Sequence, residues 1–321
     1  MPETRFAPET QHRFNPEKSS FWSNNLALIL QLGLFAVLMM VVMAAVPEFY
    51  VPRNLSTLAE QVIPKTILAF ALVLTTRLKG IDLSVNAVFA VSCWVLAGFM
   101  IENKMVPGLI LALAAGLALG AVNAAVQMFI HIPSAALTMT VSAAVSFGIT
   151  LMAGWIASIF WDGKPIMVRS EGEELSTFGV MPLIAALIFV LLLLFFTKLG
   201  AQGQLQKRHI FMTYAGSGLL FALAASFTAM RVLAIRPLVY GSAQILFVLF
   251  ISGALLISRS AKPRIVPVVI ALMATLNWSI FSNILVNFRA NPYIQSITFL
   301  ILTAAFIIPA FIVQRGCRSR I

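Results

Sequence analysis

The segment Gly80-Ile81-Asp82-Leu83-Ser84 places an acid and a hydroxyl between two long apolar runs. Asp82 or Ser84 can accept hydrogen bonds from the free N–H groups at the start of the helix that follows. The acid also complements the positive end of that helix's dipole. This capping role is one interpretation of the segment. The other is a movable joint between two helices, beside a path through the protein.

Neutral polar residues also recur inside the apolar runs. Such groups are costly in a membrane unless they are paired or face water. Beside aromatic residues they suit a path for uncharged polyhydroxyl solutes, and the alternative is hydrogen bonding between helices, worth about 1 kcal/mol each. Lys65 either reaches outward to the membrane surface, which we expect, or lines the path. The candidate path residues are Asp82, Ser84, Asn86, Asn123, Thr138, Gln244, Asn277 and Trp278.

Motifs for catalysis and metal binding are not found in the sequence. There is no phosphate-binding Gly-x-x-x-x-Gly-Lys-Ser/Thr loop, no Gly-x-Ser-x-Gly elbow and no His-Glu-x-x-His pair. The two cysteines and three histidines show neither disulfide nor metal-ligand spacing. From the third apolar run onward, no Asp or Glu lies well inside a run. We therefore expect no catalytic residue, no cofactor and no metal, and a protein that is not an enzyme.

The composition is that of a membrane protein. Hydrophobic residues make up 60% of the chain, charged residues 10%, and the mean hydropathy is +0.96; a typical soluble domain has about 25% charged residues. The 22 basic and 11 acidic residues raise the possibility of nucleic-acid binding. The basic residues, however, lie in short clusters between apolar runs, so we expect contact with membrane lipid and not with nucleic acid.

The apolar runs divide the chain into a polar N-terminal tail (1–25), a transmembrane domain (26–314) and a short C-terminal tail (315–321). A spanning helix needs about 20 largely apolar residues. The first run is longer than a signal-peptide core, so we expect it to be retained as a helix. Ten candidate spans follow, the eighth of which contains Gly241 and Gly253 and is expected to be broken: 26–46, 59–76, 84–101, 106–128, 135–157, 180–197, 211–230, 238–258, 265–286 and 293–314.

Loop charges predict how the spans are oriented. With both termini on the same side, 14 of the 22 Lys and Arg residues lie in the loops and tails of that side. Basic loops favour the cytoplasm, so both termini are predicted to be cytoplasmic. In the fourth span, small residues recur every four positions from Gly108 to Ala124, and we expect them to form a packing face of a buried central helix.

Several segments resemble a known family. Leu78–Val85 resembles the Gly-Gly-Ile-Asp-Leu-Ser-Val-Gly signature of ribose-type ABC transporter permeases, a group that also serves branched-chain amino acids, nucleosides and autoinducer-2. Over roughly residues 25–314, weaker matches keep the family's order: Gly120–Asn123, Ile132–Thr138, Gly163–Ile166, Tyr214–Met230 and Leu276-Asn277.

The resemblance implies an all-α, polytopic fold of about ten transmembrane helices, like the permeases of type II ABC importers. It also implies a dimeric permease in the bacterial inner membrane, driven by two cytoplasmic ATPase subunits and supplied by a periplasmic solute-binding protein. A small polar solute, above all a sugar, is the expected cargo. The alternatives are a nucleoside or autoinducer-2 permease, an ATP-independent carrier or facilitator, and a membrane scaffold that transports nothing.

The chain departs from the family where the permease contacts its ATPase. The family has a Gly-Asn-x-x-Ala-Ala coupling helix after the sixth span, but here the loop is only Lys198–His209 and lacks that motif. Ser242-Ala243-Gln244 also replaces the family's Glu-Leu-Asp. We therefore expect a heterodimer with a second permease chain, to which the ATPase transmits most of its conformational change. The basic residues expected to contact the ATPase are Lys198, Lys207, Arg208, Arg259 and Lys262.

Overall fold

The computed structural model is helical and describes most of the chain. The described residues are 21–78, 80–101, 104–129, 134, 136–145, 166–167, 207–231, 234–235, 242–258 and 265–318. The α-helices, numbered here in chain order within these residues, are α1 (Phe21–Ala45), α2 (Pro52–Arg77), α3 (Val85–Ile101), α4 (Met105–Phe129), α5 (Ala136–Val145), α6 (Lys207–Arg231), α7 (Ser242–Ile257), α8 (Val266–Asn287) and α9 (Pro292–Arg318).

Six of these helices are long and apolar enough to cross a membrane: α1, α2, α4, α6, α8 and α9. The helices α3, α5 and α7 are apolar but shorter. Several membrane-spanning helices in one chain make this a multi-pass membrane protein, as the sequence predicts. Nine of the ten predicted spans coincide with a described helix, although α5 covers only the first part of 135–157. The predicted span 180–197 lies outside the described residues, as do the tail 1–20 and residues 319–321.

Several helix boundaries differ from the sequence prediction: α1 begins at Phe21, inside the predicted N-terminal tail, and α9 continues to Arg318, inside the predicted C-terminal tail. Helix α2 begins at Pro52 and not at residue 59, because a proline in the first turn needs no N–H partner and already has a helical φ. It then continues through Pro64. Helix α7 continues through Gly253 without the break we expected there. A Cβ at Gly253 would lie 3.0 Å from the backbone nitrogen of Ile307, so this glycine lets α7 and α9 approach closely.

The helices form a central group and a peripheral group. In α2, α6 and α8 about two thirds of the apolar stretch is buried, against about a quarter in α1, α4 and α9. The prediction of a central helix at 108–125 was therefore wrong for α4. One face of α4 is buried, and it consists of the predicted small residues together with Asn123. The other face exposes large apolar side chains such as Val106 and Ile110, as a lipid-facing helix does.

The small-residue face of α4 packs directly against α6. A Cβ at Gly116 would lie 2.6 Å from the carbonyl oxygen of Gly218, and a Cβ at Gly218 would lie 2.9 Å from the Cα of Gly120. The two backbones therefore touch without side chains between them, which is the contact that small residues allow in membranes. The three glycines Gly116, Gly120 and Gly218 form the α4–α6 glycine contact.

A short antiparallel strand pair joins two interhelical connections. Strand β1 (Ile166–Met167) pairs with β2 (Ala234–Ile235), with Ile166 opposite Ile235. The first strand follows α5 and the second follows α6 in the chain. The pairing holds these two connections on the same side of the helices, and their placement on the outer side of the membrane stays a prediction.

Candidate functional site

The link between α2 and α3 is a buried, hydrogen-bonded segment, residues 80–84, which we call the α2–α3 joint. At its centre Asp82 is only 1% exposed. Its Oδ1 accepts hydrogen bonds from the backbone N–H of Ser84 at 3.0 Å and from the Ser84 hydroxyl at 2.6 Å. The carbonyl of Ser84 accepts the N–H of Val88, which places Ser84 at the N-cap of α3. Asp82 thus orders the turn that enters α3 by binding the cap residue itself.

Helix α5 and Ser134, two residues before its start, fix the backbone of the joint. The N–H of Leu83 donates to Oγ1 of Thr138 at 2.9 Å, and the N–H of Ile81 donates to Oγ of Ser134 at 3.2 Å. The Thr138 hydroxyl lies within hydrogen-bonding distance of the carbonyl oxygens of Ser134 and Ile81, at 2.8 and 3.3 Å. Thr138, a predicted path residue, therefore satisfies buried backbone groups of the joint.

Helix α6 closes the joint on another side. The Ser217 hydroxyl lies 3.3 Å from Oδ2 of Asp82 and 2.9 Å from the carbonyl oxygen of Tyr214. Tyr214 is also buried and hydrogen-bonds to Ser134 through its side chain. A Cβ at Gly80 would lie 2.6 Å from Oγ of Ser134 and 3.0 Å from the Tyr214 hydroxyl oxygen. A side chain at position 80 would therefore displace Ser134, whose hydroxyl accepts the N–H of Ile81.

Burial controls the ionisation of Asp82. Removal of the carboxyl from water raises its pKa, because burial disfavours the charged form. The hydrogen bonds from Ser84 and Ser217 act in the opposite direction, since they stabilise the carboxylate, but the effect of burial is larger. The joint therefore holds a carboxyl group whose protonated form is favoured more than in water.

A cavity of about 270 Å³ lies between helices α2, α3, α6, α7, α8 and α9. Small-molecule pockets in proteins have volumes of roughly 300–1,000 Å³, so this one suits a small solute. Gln244, in the first turn of α7, and Gln295, in the first turn of α9, lie near helix ends on the same side of the bundle as Thr228, in the last turn of α6. The polar residues of the lining are Gln61, Lys65, Thr228, Gln244, Ser282 and Gln295.

Aromatic rings form much of the apolar wall of this cavity. Trp278 stacks on Phe299, with ring centroids 4.3 Å apart and planes 24° from parallel. Phe247 meets Trp278 edge-on at 5.5 Å. Phe250, behind the wall, lies 5.4 Å from Trp278. These contacts hold Trp278 in one orientation. The apolar residues of the lining are Pro64, Leu68, Phe89, Phe247, Trp278 and Phe299.

The eight predicted path residues do not form one continuous path. Gln244 and Trp278 line the cavity, whereas Asp82, Ser84 and Thr138 belong to the α2–α3 joint. Phe89 connects the two regions, since it lies five residues after Ser84 on α3, about 7.5 Å along the helix axis.

The remaining three path residues lie elsewhere in the helix bundle. Asn277 donates to Gln31 of α1, to Oε1 at 2.7 Å and to the backbone carbonyl at 2.8 Å. This is the alternative role of hydrogen bonding between helices. Asn123 is buried on the packed face of α4, and neither amide atom of its side chain has a hydrogen-bond partner within the described part of the chain. Asn86 is half-buried in the first turn of α3.

Sequence reasoning missed most of the cavity's polar lining. Gln61 and Lys65 are four residues apart and therefore share a face of α2, a signal that was present in the sequence. Lys65 is half-buried and lines the cavity, so the structure matches the alternative role and not the expected outward one. Gln295, Ser282 and Thr228 carry no local signal. They become lining residues only because α6, α8 and α9 pack around the same space.

Of the residues predicted to contact an ATPase, two are described. Lys207 and Arg208 are exposed at the start of α6. Lys198, Arg259 and Lys262 lie outside the described residues. Exposure leaves Lys207 and Arg208 accessible to a partner, and the contact itself stays a prediction.

Comparison of this chain with protein-family models, with curated proteins and with solved structures found no match. The resemblance to ribose-type permeases is therefore carried by the short segments named above. Three of these segments meet in the structure, since Gly80–Ser84 bonds to Ser134 and Thr138 of the Ile132–Thr138 segment and to Ser217 of the Tyr214–Met230 segment.

Proposed function

We propose that this chain is a transmembrane permease subunit that moves a small polar solute, most readily a sugar, across the bacterial inner membrane. The observation that supports this function best is the cavity of about 270 Å³, lined by amide and hydroxyl groups beside an aromatic wall. A bundle that served only as a scaffold would gain stability by filling this space with apolar side chains, since an unfilled cavity costs packing energy.

The position of the cavity also fits a transport role. Thr228, Gln244 and Gln295 lie in terminal helical turns on one side of the bundle, the side opposite the predicted cytoplasmic termini. In that orientation the cavity opens toward the periplasm, where a solute-binding protein would deliver its cargo. The α2–α3 joint then lies between the cavity and the cytoplasm, where the connection of two helices could change as the solute passes.

The motor for this transport is proposed from the family resemblance. Two cytoplasmic ATPase subunits would drive the permease, and a second permease chain would receive most of their stroke because the loop 198–209 lacks the family's coupling motif. The same short loop favours a second candidate function, an ATP-independent carrier or facilitator that has no motor. The two candidates differ in whether uptake requires ATP.

Reconstitution tests both candidates. The full chain would be purified alone and together with any ATPase, binding protein and second permease that its neighbouring genes encode, and placed in proteoliposomes for uptake of radiolabelled sugars. Uptake that needs ATP and the second permease supports the main proposal, and uptake by the chain alone without ATP supports the carrier. A homodimer that transports and binds the ATPase unaided contradicts the heterodimer. No uptake of any sugar, nucleoside or autoinducer-2 by either preparation contradicts a transport role.

A further inference from the structure

Helix α2 has two halves that are packed differently. Before Pro64 the only buried residue of the helix is Leu58, whereas every residue from Thr66 to Thr76 is buried. A helical segment that is buried all round is fixed by side-chain contacts on every side. The half after Pro64 is therefore fixed within the bundle, and the half before it (52–63) is held on one side only.

The N-terminal half of α2 packs in a hydrophobic cluster of its own. The residues Ile67–Leu74 belong to the main core. Leu58 belongs to a second cluster with the C-terminal half of α1, the 3-10 helix Pro47–Tyr50 that connects α1 to α2, and two residues of α8. Its members are Leu38, Val42, Val46, Phe49, Leu58, Ile280 and Ile284. Residues 38–63 thus form one packed unit, which we call the α1–α2 corner.

Both helices of the corner contain a residue that favours bending where they join the rest of the bundle. Pro64 has no N–H, so the helical hydrogen bond to the carbonyl of Glu60 cannot form, and prolines are the usual sites of helix kinks. In α1, Gly33 lies between the corner and Gln31, which is bonded to Asn277 of α8. A Cβ at Gly33 would meet no atom within 4 Å, so close packing does not explain this glycine, which weakens a helix interior.

A reciprocal pair of amide side chains ties the corner to α8. Nδ2 of Asn54 donates to Oδ1 of Asn283 at 3.2 Å, and Nδ2 of Asn283 donates to Oδ1 of Asn54 at 2.9 Å. Nδ2 of Asn54 also donates to the carbonyl of Phe49 at 3.0 Å, within the corner. Asn287 holds Asn283 in place by donating to its Oδ1 at 2.7 Å. The amide pair therefore joins the N-terminal half of α2 to α8.

The corner forms part of the cavity lining. Gln61, Pro64 and Lys65 line the cavity from α2, and Ser282, next to Asn283, lines it from α8. Gln61 lies in the corner, seven residues after Asn54 and thus about 10 Å from it along the helix axis. The amide pair consequently joins the two helices that border this side of the cavity. Separation of Asn54 from Asn283 would widen the cavity between α2 and α8.

We infer that the α1–α2 corner is a movable gate of the cavity, hinged at Pro64 and Gly33 and held in place by the amide pair of Asn54 and Asn283. The role of this gate in solute passage rests on the proposed permease function, whereas its movement does not. Pro52 lies twelve residues before Pro64, about 18 Å along the helix axis, so a kink of about 20° at Pro64 would move Pro52 by about 6 Å.

Distances between two spin labels test the movement on the full chain, purified from membranes with the proteins that accompany it and placed in nanodiscs. The labels are attached through Glu48→Cys, exposed in the corner, and Met105→Cys, exposed at the start of α4, after Cys93→Ala and Cys317→Ser have removed the native thiols. Samples with one label identify distances between copies. With Asn54 present we expect one distance. Asn54→Leu should add a second that differs by up to about 6 Å, the displacement for a kink of about 20°.

Further variants separate a hinge from a general loss of structure. Pro64→Ala restores the helical N–H, so in the Asn54→Leu background it should remove the second distance, and Gly33→Ala should reduce its population. Thr57→Val is the matched control, because among the described residues the Thr57 hydroxyl bonds to the carbonyl of Arg53 in its own helix, and it should leave one distance. Asn54→Ser, too short to reach Asn283, replaces Asn54→Leu if the thermal midpoint shows that the latter is not folded.

The outcomes separate this inference from the proposed function. An unchanged distance in Asn54→Leu or its serine substitute overturns the inference, as does a second distance that persists with Pro64→Ala. Uptake in proteoliposomes decides the permease function independently. Uptake without movement of residues 38–63 leaves the permease in place and removes the gate. Movement without uptake of any solute leaves the hinged corner in place and overturns its role in transport.

Discussion

The α2–α3 joint and the cavity differ in how far the hydrogen-bonding groups of their polar side chains are satisfied. In the joint, Asp82 is enclosed and its two carboxylate oxygens are satisfied by Ser84 and Ser217. In the cavity, Lys65 is part of the lining, and the buried Oε1 of Gln244 has no partner in the described residues. The joint is complete without a ligand, whereas the cavity leaves hydrogen-bonding capacity unused. Substitutions should therefore affect stability in the first region and solute handling in the second.

Asp82→Ala should have the largest effect. It removes the acceptor of three hydrogen bonds and leaves the two buried donors of Ser84 without this partner, whereas the Ser217 hydroxyl keeps the carbonyl of Tyr214, so we expect the free energy of unfolding to fall by about 3 kcal/mol. Asp82→Asn keeps Oδ1 for Ser84 and should cost about 1 kcal/mol. Thermal or chemical unfolding in nanodiscs measures both. If the alanine variant is as stable as the asparagine variant, the joint is not held together by this side chain.

Thr138→Val should have the next largest effect on the joint. Valine has nearly the same shape but cannot accept the N–H of Leu83, so we expect a loss of about 1–2 kcal/mol. Thr140→Val is the matched control on the same helix, because Thr140 is exposed and, among the described residues, its hydroxyl bonds to the carbonyl of Ala136 on its own helix. Unfolding measurements on both variants compare them directly. Equal losses of unfolding free energy in the two variants would show that the hydrogen bond from Leu83 to Thr138 does not stabilise the joint.

Gln244→Leu tests the cavity, where we expect an effect on solute binding and not on stability. Because Oε1 of Gln244 is buried and has no partner among the described residues, its replacement should not lower the free energy of unfolding. Solute affinity should fall about tenfold, the effect of one lost hydrogen bond. Unfolding and uptake are measured on the same preparation. A large loss of stability with unchanged uptake would mean that Gln244 belongs to the packing of the bundle.

The smallest expected effect is a pH dependence that originates in the joint. The pKa of Asp82 in the folded protein lies above its ordinary value of about 3.9, so folding favours the protonated carboxyl. The stabilisation is full below the ordinary pKa and is lost as pH rises through the raised pKa of the folded state. The thermal midpoint of the native chain should therefore decrease from acid toward neutral pH relative to that of Asp82→Asn. If the thermal midpoints of the two proteins change with pH in parallel, the prediction is wrong.

Local patterns in the sequence were enough to predict the helices and one half of the joint. Apolar runs of the required length identify helices such as α8, and the small residues of α4 identify its packed face. The identity of Asp82 and Ser84 as a bonded pair is also local, since they are two residues apart. What the sequence could not supply are the partners of the joint: Ser134 and Ser217 lie 53 residues from Ile81 and 135 residues from Asp82.

The cavity was harder to predict for the same physical reason. Its lining comes from six helices, and no helix shows by itself which of its polar residues face the shared space. The spacing of Gln61 and Lys65 gives one face of α2, but whether that face meets lipid, another helix or a cavity depends on packing. Lys65 was therefore assigned to the membrane surface, although α7, α8 and α9 enclose a space beside it.

The α4–α6 glycine contact has a mechanical consequence. Two helices usually slide past each other by small changes of side-chain rotamer at their interface, but Gly116, Gly120 and Gly218 have no side chains to rearrange. Because the two backbones are in direct contact there, we expect a displacement of α6 to move α4 and the lipid at its exposed face as well. The thickness and stiffness of the bilayer would then affect the energy needed to move Ser217 relative to the α2–α3 joint.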